Sequence, residues 1–198
     1  MKQLRFGLLA LFVSAAAAAA QAAGRPAVDP DWPCQQPKVA AFPLASVWDG
    51  PAIDTTATSD DPEITGIAAA MSRRRVPIGD VQAALAKLAA APDARDRIRL
   101  AFAIAFADLV RQRTQVIDGL ERFGRQQIAM AAGIRAENET AHKAETPGLA
   151  TSDPALQKLQ WDLRLYDERR RTISYVCEAP QAIEGRIGSL VKLVRAAL

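Results

Sequence analysis

The feature that most constrains this chain is a proline-free stretch from residue 93 to about 145, in which apolar residues recur at mostly helical intervals. At 1.5 Å per residue, a helix of that length would be roughly 80 Å long. Such a helix cannot bury its own apolar face, so other parts of the chain must cover its flank. The apolar positions are Ile98, Phe102, Phe106, Leu109, Val116, Leu120 and Phe123, and they thin to Ile128 and Ile134.

A second apolar stripe predicts the covering helix. Its members are three and four residues apart, which is typical of a helix packed lengthwise on another. They are Leu156, Leu159, Leu163, Tyr166, Arg170, Ile173 and Cys177. Residues 146–148, Thr-Pro-Gly, break the first helix, and residues 152–154, Ser-Asp-Pro, begin the second, which we expect to continue beyond a bend at Pro180. The sequence therefore predicts a long antiparallel, coiled-coil-like helical hairpin with its tip near residue 147.

Two shorter helices are expected at the base of this hairpin. Asp61, Pro62 and Glu63 are a strong helix start, and the helix must end before Pro77. The next helix, about residues 78–90, carries Val81, Leu85 and Leu88 on one face. The predicted fold class is therefore all-α, with a helical domain over residues 62–198.

Residues 23–61 have no helical period and contain repeated prolines, so we expect an extended N-terminal arm. Trp32, Phe42, Leu44, Val47 and Trp48 distinguish this arm from a disordered linker. We expect the arm to lie against the helices with its aromatic side chains buried.

Residues 1–22 match a cleavable signal peptide: Lys2 and Arg5 precede an uncharged run that ends in small residues. Cleavage is expected after Ala22 or nearby, and an uncleaved membrane anchor is the alternative. Removing these residues lowers the Lys and Arg count from 25 to 23 against 22 acids, a net charge of +1. This charge gives no electrostatic case for nucleic acid. The predicted location is periplasmic or secreted, with membrane contact only through the signal peptide.

Cys34 and Cys177 are the only cysteines, and in an exported chain they most simply form one disulfide. The bond would close a loop of about 140 residues, worth up to ~5 kcal/mol in the chain-entropy model; two unpaired thiols are the alternative. Counting back from the hairpin turn places Cys177 near Gly119 and Gly124. Glycine inside a helix often marks a close approach, so the arm is expected to cross there, unless the glycines are merely tolerated.

The segments around both cysteines resemble segments of known proteins. Residues 31–34, Asp-Trp-Pro-Cys, and residues 175–180, Tyr-Val-Cys-Glu-Ala-Pro, resemble those of a group of uncharacterised exported proteins of alphaproteobacterial type. The resemblance implies that the two cysteine segments belong together. It implies no activity, so no catalytic residue is transferred.

Residues suited to catalysis or metal binding are sparse. His142 is the single histidine, so zinc, haem and di-iron sites lack their ligands. The acids of the arm do not have the spacing of a calcium-binding loop. We assign no catalytic, cofactor-binding or metal-binding residue, expect no cofactor, and predict a non-enzymatic protein.

The arginine runs at residues 73–75 and 169–171 each have two interpretations. Residues 73–75 could cap and solvate the end of the first short helix, or they could meet an anionic partner. Arg170 is expected to face the long helix and to contact Gln127 or Glu121, with an anion-binding site as the alternative.

Two functions follow from this fold. The first is an interaction or assembly protein that meets a protein partner, or a second copy, through the hairpin tip. The alternative is a periplasmic small-ligand-binding helical bundle with a pocket between arm and helices.

Overall fold

The computed structural model describes residues 29–143 and 153–198, and within these ranges the protein is all-α. The helices are α1 (Pro62–Ser72), α2 (Ile78–Leu88), α3 (Ala94–Lys143), α4 (Pro154–Cys177) and α5 (Ala179–Ala197), with a short 3-10 helix at Leu44–Ser46. The predicted signal peptide and the predicted turn at residues 146–148 lie outside the described residues. Across the described helices, none is both long enough and apolar enough to cross a membrane.

The predicted start of α1 is confirmed. The Asp61 carboxylate accepts hydrogen bonds from the backbone N–H groups of Glu63 and Ile64, at 2.8 and 3.4 Å. Arg97, near the start of α3, also bonds Asp61, at 2.8 Å. At the other end of α1, the backbone carbonyl of Ser72 lies 3.5 Å from the side-chain nitrogen of Gln112. The two helices therefore run parallel.

The hydrophobic core lies among α1, α2, the first half of α3, and α5. The predicted face of α2 is confirmed, because Val81, Leu85 and Leu88 are all buried. The largest fully buried side chain is Phe102 of α3. Apolar side chains of α5 close the core from the opposite side: Ile183, Ile187, Leu190, Val191 and Val194.

A buried guanidinium group joins α5 to the end of α1. Arg186 is 9% exposed, and it donates to the backbone carbonyls of Ala70, Met71 and Val76 at 2.9, 2.8 and 2.6 Å. The last carbonyls of a helix lack intrahelical partners and carry partial negative charge, so a buried cation is favourable there. Burial lowers the pKa of Arg186. Arg186 therefore caps α1 from a helix distant in sequence.

The second half of α3 is covered differently. Glu137 of α3 forms an ion pair with Lys158 of α4, whereas Val116 of α3 lines a groove together with Val176 of α4. The start of α4 is capped as predicted, by Asp153, which accepts from the Ala155 N–H at 2.8 Å. Only two of the 24 residues of α4, Leu159 and Cys177, are buried. Few apolar side chains are therefore buried between α4 and the second half of α3.

The predicted stripe of α4 is wrong at two positions. Leu163 is 44% exposed and Arg170 is exposed, whereas Arg169 is half-buried. Leu159 and Cys177 of the same stripe are nevertheless buried, so the stripe has the predicted face at these two positions and not at Leu163 and Arg170.

Residues 29–61 contain a single helical turn and lie beside the helices. Trp48 is 8% exposed; its ring packs on Phe102 at a centroid distance of 5.4 Å, and its indole N–H donates to the Pro51 carbonyl at 2.8 Å. Phe42, Leu44 and Val47 are partly buried against the same core. The expected burial of the aromatic side chain is thus confirmed for Trp48.

Replacing Arg186 should strongly destabilise the protein. Arg186→Leu leaves the carbonyls of Ala70 and Met71 in α1 and of Val76 in the following turn without their donor, so we expect the free energy of unfolding to fall by about 2–4 kcal/mol. Arg195→Leu is the matched control on α5, because the exposed Arg195–Asp49 pair should contribute at most ~1 kcal/mol. Urea denaturation of both variants measures the difference. Equal losses of unfolding free energy in the two variants would show that the buried contacts of Arg186 stabilise the protein no more than the exposed Arg195–Asp49 pair does.

Candidate functional site

A disulfide fixes the N-terminal segment to the helices. Cys34 and Cys177 are bonded, with 5.7 Å between their Cα atoms and a sequence separation of 143. Cys177 is the last residue of α4 and is 6% exposed. Gln36 donates from its side-chain amide to the Cys177 carbonyl, so a hydrogen bond reinforces the covalent attachment. The pairing expected from the sequence is present.

The backbone of the N-terminal segment passes directly over Gly124 of α3. A Cβ atom at Gly124 would collide with the carbonyl oxygen of Asp31 and would lie 2.8 Å from that group's carbon and 3.3 Å from Cδ of Pro33. The predicted close approach is therefore confirmed at Gly124. It is wrong at Gly119, where a Cβ would meet only the Arg122 guanidinium, at 3.8 Å.

Ion pairs hold the same segment from the side. Lys38 bonds the Asp29 carboxylate at 2.8 Å and also pairs with Glu121 of α3. The hydrogen bonds with Asp29 and Glu121 raise the pKa of Lys38, and the bond from Lys38 lowers the pKa of Asp29. Arg125 pairs with Asp31 at 3.2 Å. Glu121 thus pairs with Lys38, and the expected contact of Arg170 is wrong: the exposed Arg170 bonds neither Glu121 nor Gln127.

Arg113 is the most buried charged side chain of the region, and the sequence analysis missed it. It is 2% exposed, and its Nε donates to Oε1 of Glu184 at 2.6 Å. Its Nη2 donates to the Val39 carbonyl at 2.7 Å, and the guanidinium lies 5.4 Å from the centroid of the Phe42 ring. Arg113 therefore joins α3, α5 and the N-terminal segment. The available signal was an arginine at an inward position of an apolar stripe.

A cavity of about 210 Å³ lies between the N-terminal segment and the helices. Trp32 and Val39 form one wall, and Arg113, Ile117 and Pro180 form the other. The indole N–H of Trp32 is already bonded to the Gln36 carbonyl, at 2.7 Å. Most polar side chains of these walls are bonded within the protein, and Gln181 is the lining side chain that forms no hydrogen bond with a described residue. The space therefore suits a small group that forms few hydrogen bonds.

The chemistry available for catalysis is limited in the part of the chain that the structure describes. The buried charged side chains there are Arg113 and Arg186, and guanidinium groups stay protonated, so they are poor general acids or bases. Residues 29–143 and 153–198 contain no group of three or more His, Cys, Asp or Glu side chains placed to hold a metal ion. His142 is exposed in the last turn of α3.

Gly119 and Gly124 of α3 should respond oppositely to the same substitution. Gly119→Ala adds a Cβ in open space and removes the helix cost of glycine, so we expect a gain of about 0.5–1 kcal/mol in unfolding free energy. Gly124→Ala must displace the Asp31 backbone, and we expect a loss of about 1–3 kcal/mol. Chemical denaturation of the oxidised protein measures both. Changes of the same sign would contradict the close approach at Gly124.

Removal of the disulfide should also weaken the protein. For Cys34→Ala combined with Cys177→Ala, we expect the free energy of unfolding to fall by about 2–5 kcal/mol, because the bond closes a loop of 143 residues. Reduced wild-type protein is the control and should match the double variant. If reduction leaves the denaturation midpoint of the wild type unchanged, the bond does not stabilise the fold.

Comparison with known proteins gives no family for this chain: no family model matches it, and neither a curated protein nor a solved structure does.

Proposed function

We propose that this chain is a non-enzymatic interaction or assembly protein, exported by its signal peptide to the periplasm. In this proposal α3 and α4 form an antiparallel, coiled-coil-like hairpin, and residues 23–61 form the arm attached by the disulfide. The observation that carries the proposal is the near absence of buried side chains along α4, where 22 of 24 residues are not buried. A helix of this length that buries so little of itself is suited to contact with another molecule.

The contact region in this proposal is the outer end, defined as residues 128–143 of α3 and 153–163 of α4. Three large apolar side chains are exposed there: Ile128 at 48%, Trp161 at 61% and Leu163 at 44%. An open cavity of about 280 Å³ lies further out, between alanine-rich turns of both helices. Exposed aromatic and aliphatic side chains of this kind are common anchors at protein interfaces.

A small-ligand-binding bundle is the second candidate function. It is favoured by the cavity between the N-terminal segment and the helices, whose walls include Trp32 and the buried Arg113. Its volume of about 210 Å³ is below that of a typical drug-sized site, so the ligand would be small. The interaction function is preferred because the cavity offers few free polar groups to fix a ligand.

Site-specific photo-crosslinking in cells that produce the protein tests the proposal. A photoreactive amino acid replaces Ala132, which is exposed at the outer end, or Ala86, which is equally exposed on α2. We expect a defined adduct, with one other protein or with a second copy, at position 132 and not at position 86. Both positions are exposed alanines, so a difference in adduct yield reflects the surface around each position and not the photoreactive side chain itself.

Two results would contradict this proposal. One is an equal yield of adducts at positions 132 and 86. The other is a monomer without adducts whose melting temperature rises with a member of a metabolite panel, a result that would favour the ligand-binding function.

A further inference from the structure

The turn between α1 and α2 carries three cations that the fold does not use. We call residues 73–77 the arginine turn. Arg73, Arg74 and Arg75 are exposed, and none of them forms a hydrogen bond from its side chain or an ion pair with a described residue. Some other charged side chains of the body are paired, for example Arg97 with Asp61 and Arg195 with Asp49. Three adjacent cations therefore remain without an acid among the described residues at this turn, as they do at residues 169–171 of α4.

Helix capping does not account for these arginines. The carbonyls at the end of α1 are occupied by Arg186, which bonds Ala70, Met71 and Val76. Two of these carbonyls belong to α1 and the third to the turn itself. The same contact fixes the backbone of the turn, so the arginines project from a well-supported site. Their exposure on a fixed turn is what a surface for a negatively charged partner requires.

An apolar groove lies further along α3, on the face of the helix that contacts the end of α1. We call it the side groove; Val116, Gly119 and Phe123 of α3 line it together with Ile173 and Val176 of α4, and its volume is about 270 Å³. Ser72, the residue before the turn, contacts Gln112, and Val116 lies one helical turn, about 5.4 Å, beyond Gln112 on the same face of α3. The cations and the groove therefore share one side of the molecule.

The floor of the side groove is open because of a glycine. A Cβ at Gly119 would meet nothing closer than the guanidinium of Arg122, at 3.8 Å. Arg122 thus adds a further cation at the rim, and it forms no ion pair with a described residue. Val176 is 41% exposed at the opposite edge. The groove is concave, apolar inside, and bordered by positive charge.

We propose that the side groove and the arginine turn together bind an acidic, apolar segment of a partner protein. Apolar side chains of the segment would enter the groove over Gly119, and its carboxylates would pair with Arg74, Arg75 and Arg122. Guanidinium groups bind carboxylates in a bidentate manner, which adds orientation to the charge complementarity. A groove between two helices accepts side chains of a helix or extended segment, whereas a flat bilayer surface cannot fill it. The inference rests on the proposed function only in requiring a protein partner, because its surface is separate from the outer end.

The test uses a displayed library of short random peptides selected on the immobilised, disulfide-bonded protein. We expect the enriched sequences to combine Asp or Glu with large apolar residues. The affinity of one synthetic peptide is then measured against variants of each half of the surface. Arg74→Glu with Arg75→Glu should weaken binding at least about tenfold, since each carboxylate would then meet a like charge. Gly119→Leu should weaken it similarly by filling the groove.

The control is Lys87→Glu with Arg95→Glu, a matched double charge reversal at exposed cations that form no ion pair with a described residue. Neither residue lines the side groove, and Arg95 lies 24 residues before Gly119 on α3, so the affinity should be unchanged. Melting temperatures verify that each variant is folded. If Gly119→Leu does not fold, Val176→Lys at the exposed edge of the groove replaces it. The outer end is intact in all of these proteins, so failure here is distinct from failure of the crosslinking experiment.

Several outcomes would overturn the inference. They include enrichment of no acidic, apolar sequence and binding that is insensitive to both surface variants. Co-sedimentation with phosphatidylglycerol vesicles that depends on Arg74 and Arg75 but not on Gly119 would assign the arginine turn to a membrane instead. Self-association lost in both variants would assign the surface to a second copy of the chain.

Discussion

The whole structure depends on covering one helix, α3, whose 50 residues extend about 75 Å. Its first half is enclosed by α1, α2 and α5, and these helices contain nearly all of the buried apolar side chains. Its second half has only α4 and the N-terminal segment beside it. Stability is therefore concentrated at one end of the molecule, and accessible apolar surface is concentrated at the other.

Between Arg113 and Gly124, the elements packed on α3 change from α1, α2 and α5 to α4 and the N-terminal segment. Arg113 binds Glu184 of α5 and the backbone of residues 39–40, while Gly124 admits the backbone of Asp31. The disulfide to Cys177 lies at the same level. Three different kinds of contact, namely a buried ion pair, a backbone close approach and a covalent bond, meet where α3 leaves the core. Each restrains a different element, so the body and the outer helices are held in a fixed relation there.

Features that depend on local sequence were predicted well. Asp61 and Asp153 cap helices because their side chains reach N–H groups two or three residues away. The buried face of α2 follows from its period, and Gly124 follows from its place opposite Cys177. Features set by neighbouring helices were not predicted. The roles of Arg113 and Arg186 depend on which carbonyls the packing brings within reach. The spacing along α4 likewise does not distinguish Arg170, which is exposed, from Cys177 of the same stripe, which is buried.

The separation of the bonded cysteines has a consequence for biosynthesis. Cys177 follows Cys34 by 143 positions in the sequence. The bond therefore cannot form until the chain has been made as far as Cys177, and its formation also requires α4 to end beside the segment that passes over Gly124. During that interval the Cys34 thiol is available to other thiols and oxidants. An oxidised pair therefore shows that synthesis has passed Cys177 and that the end of α4 has met the segment containing Cys34.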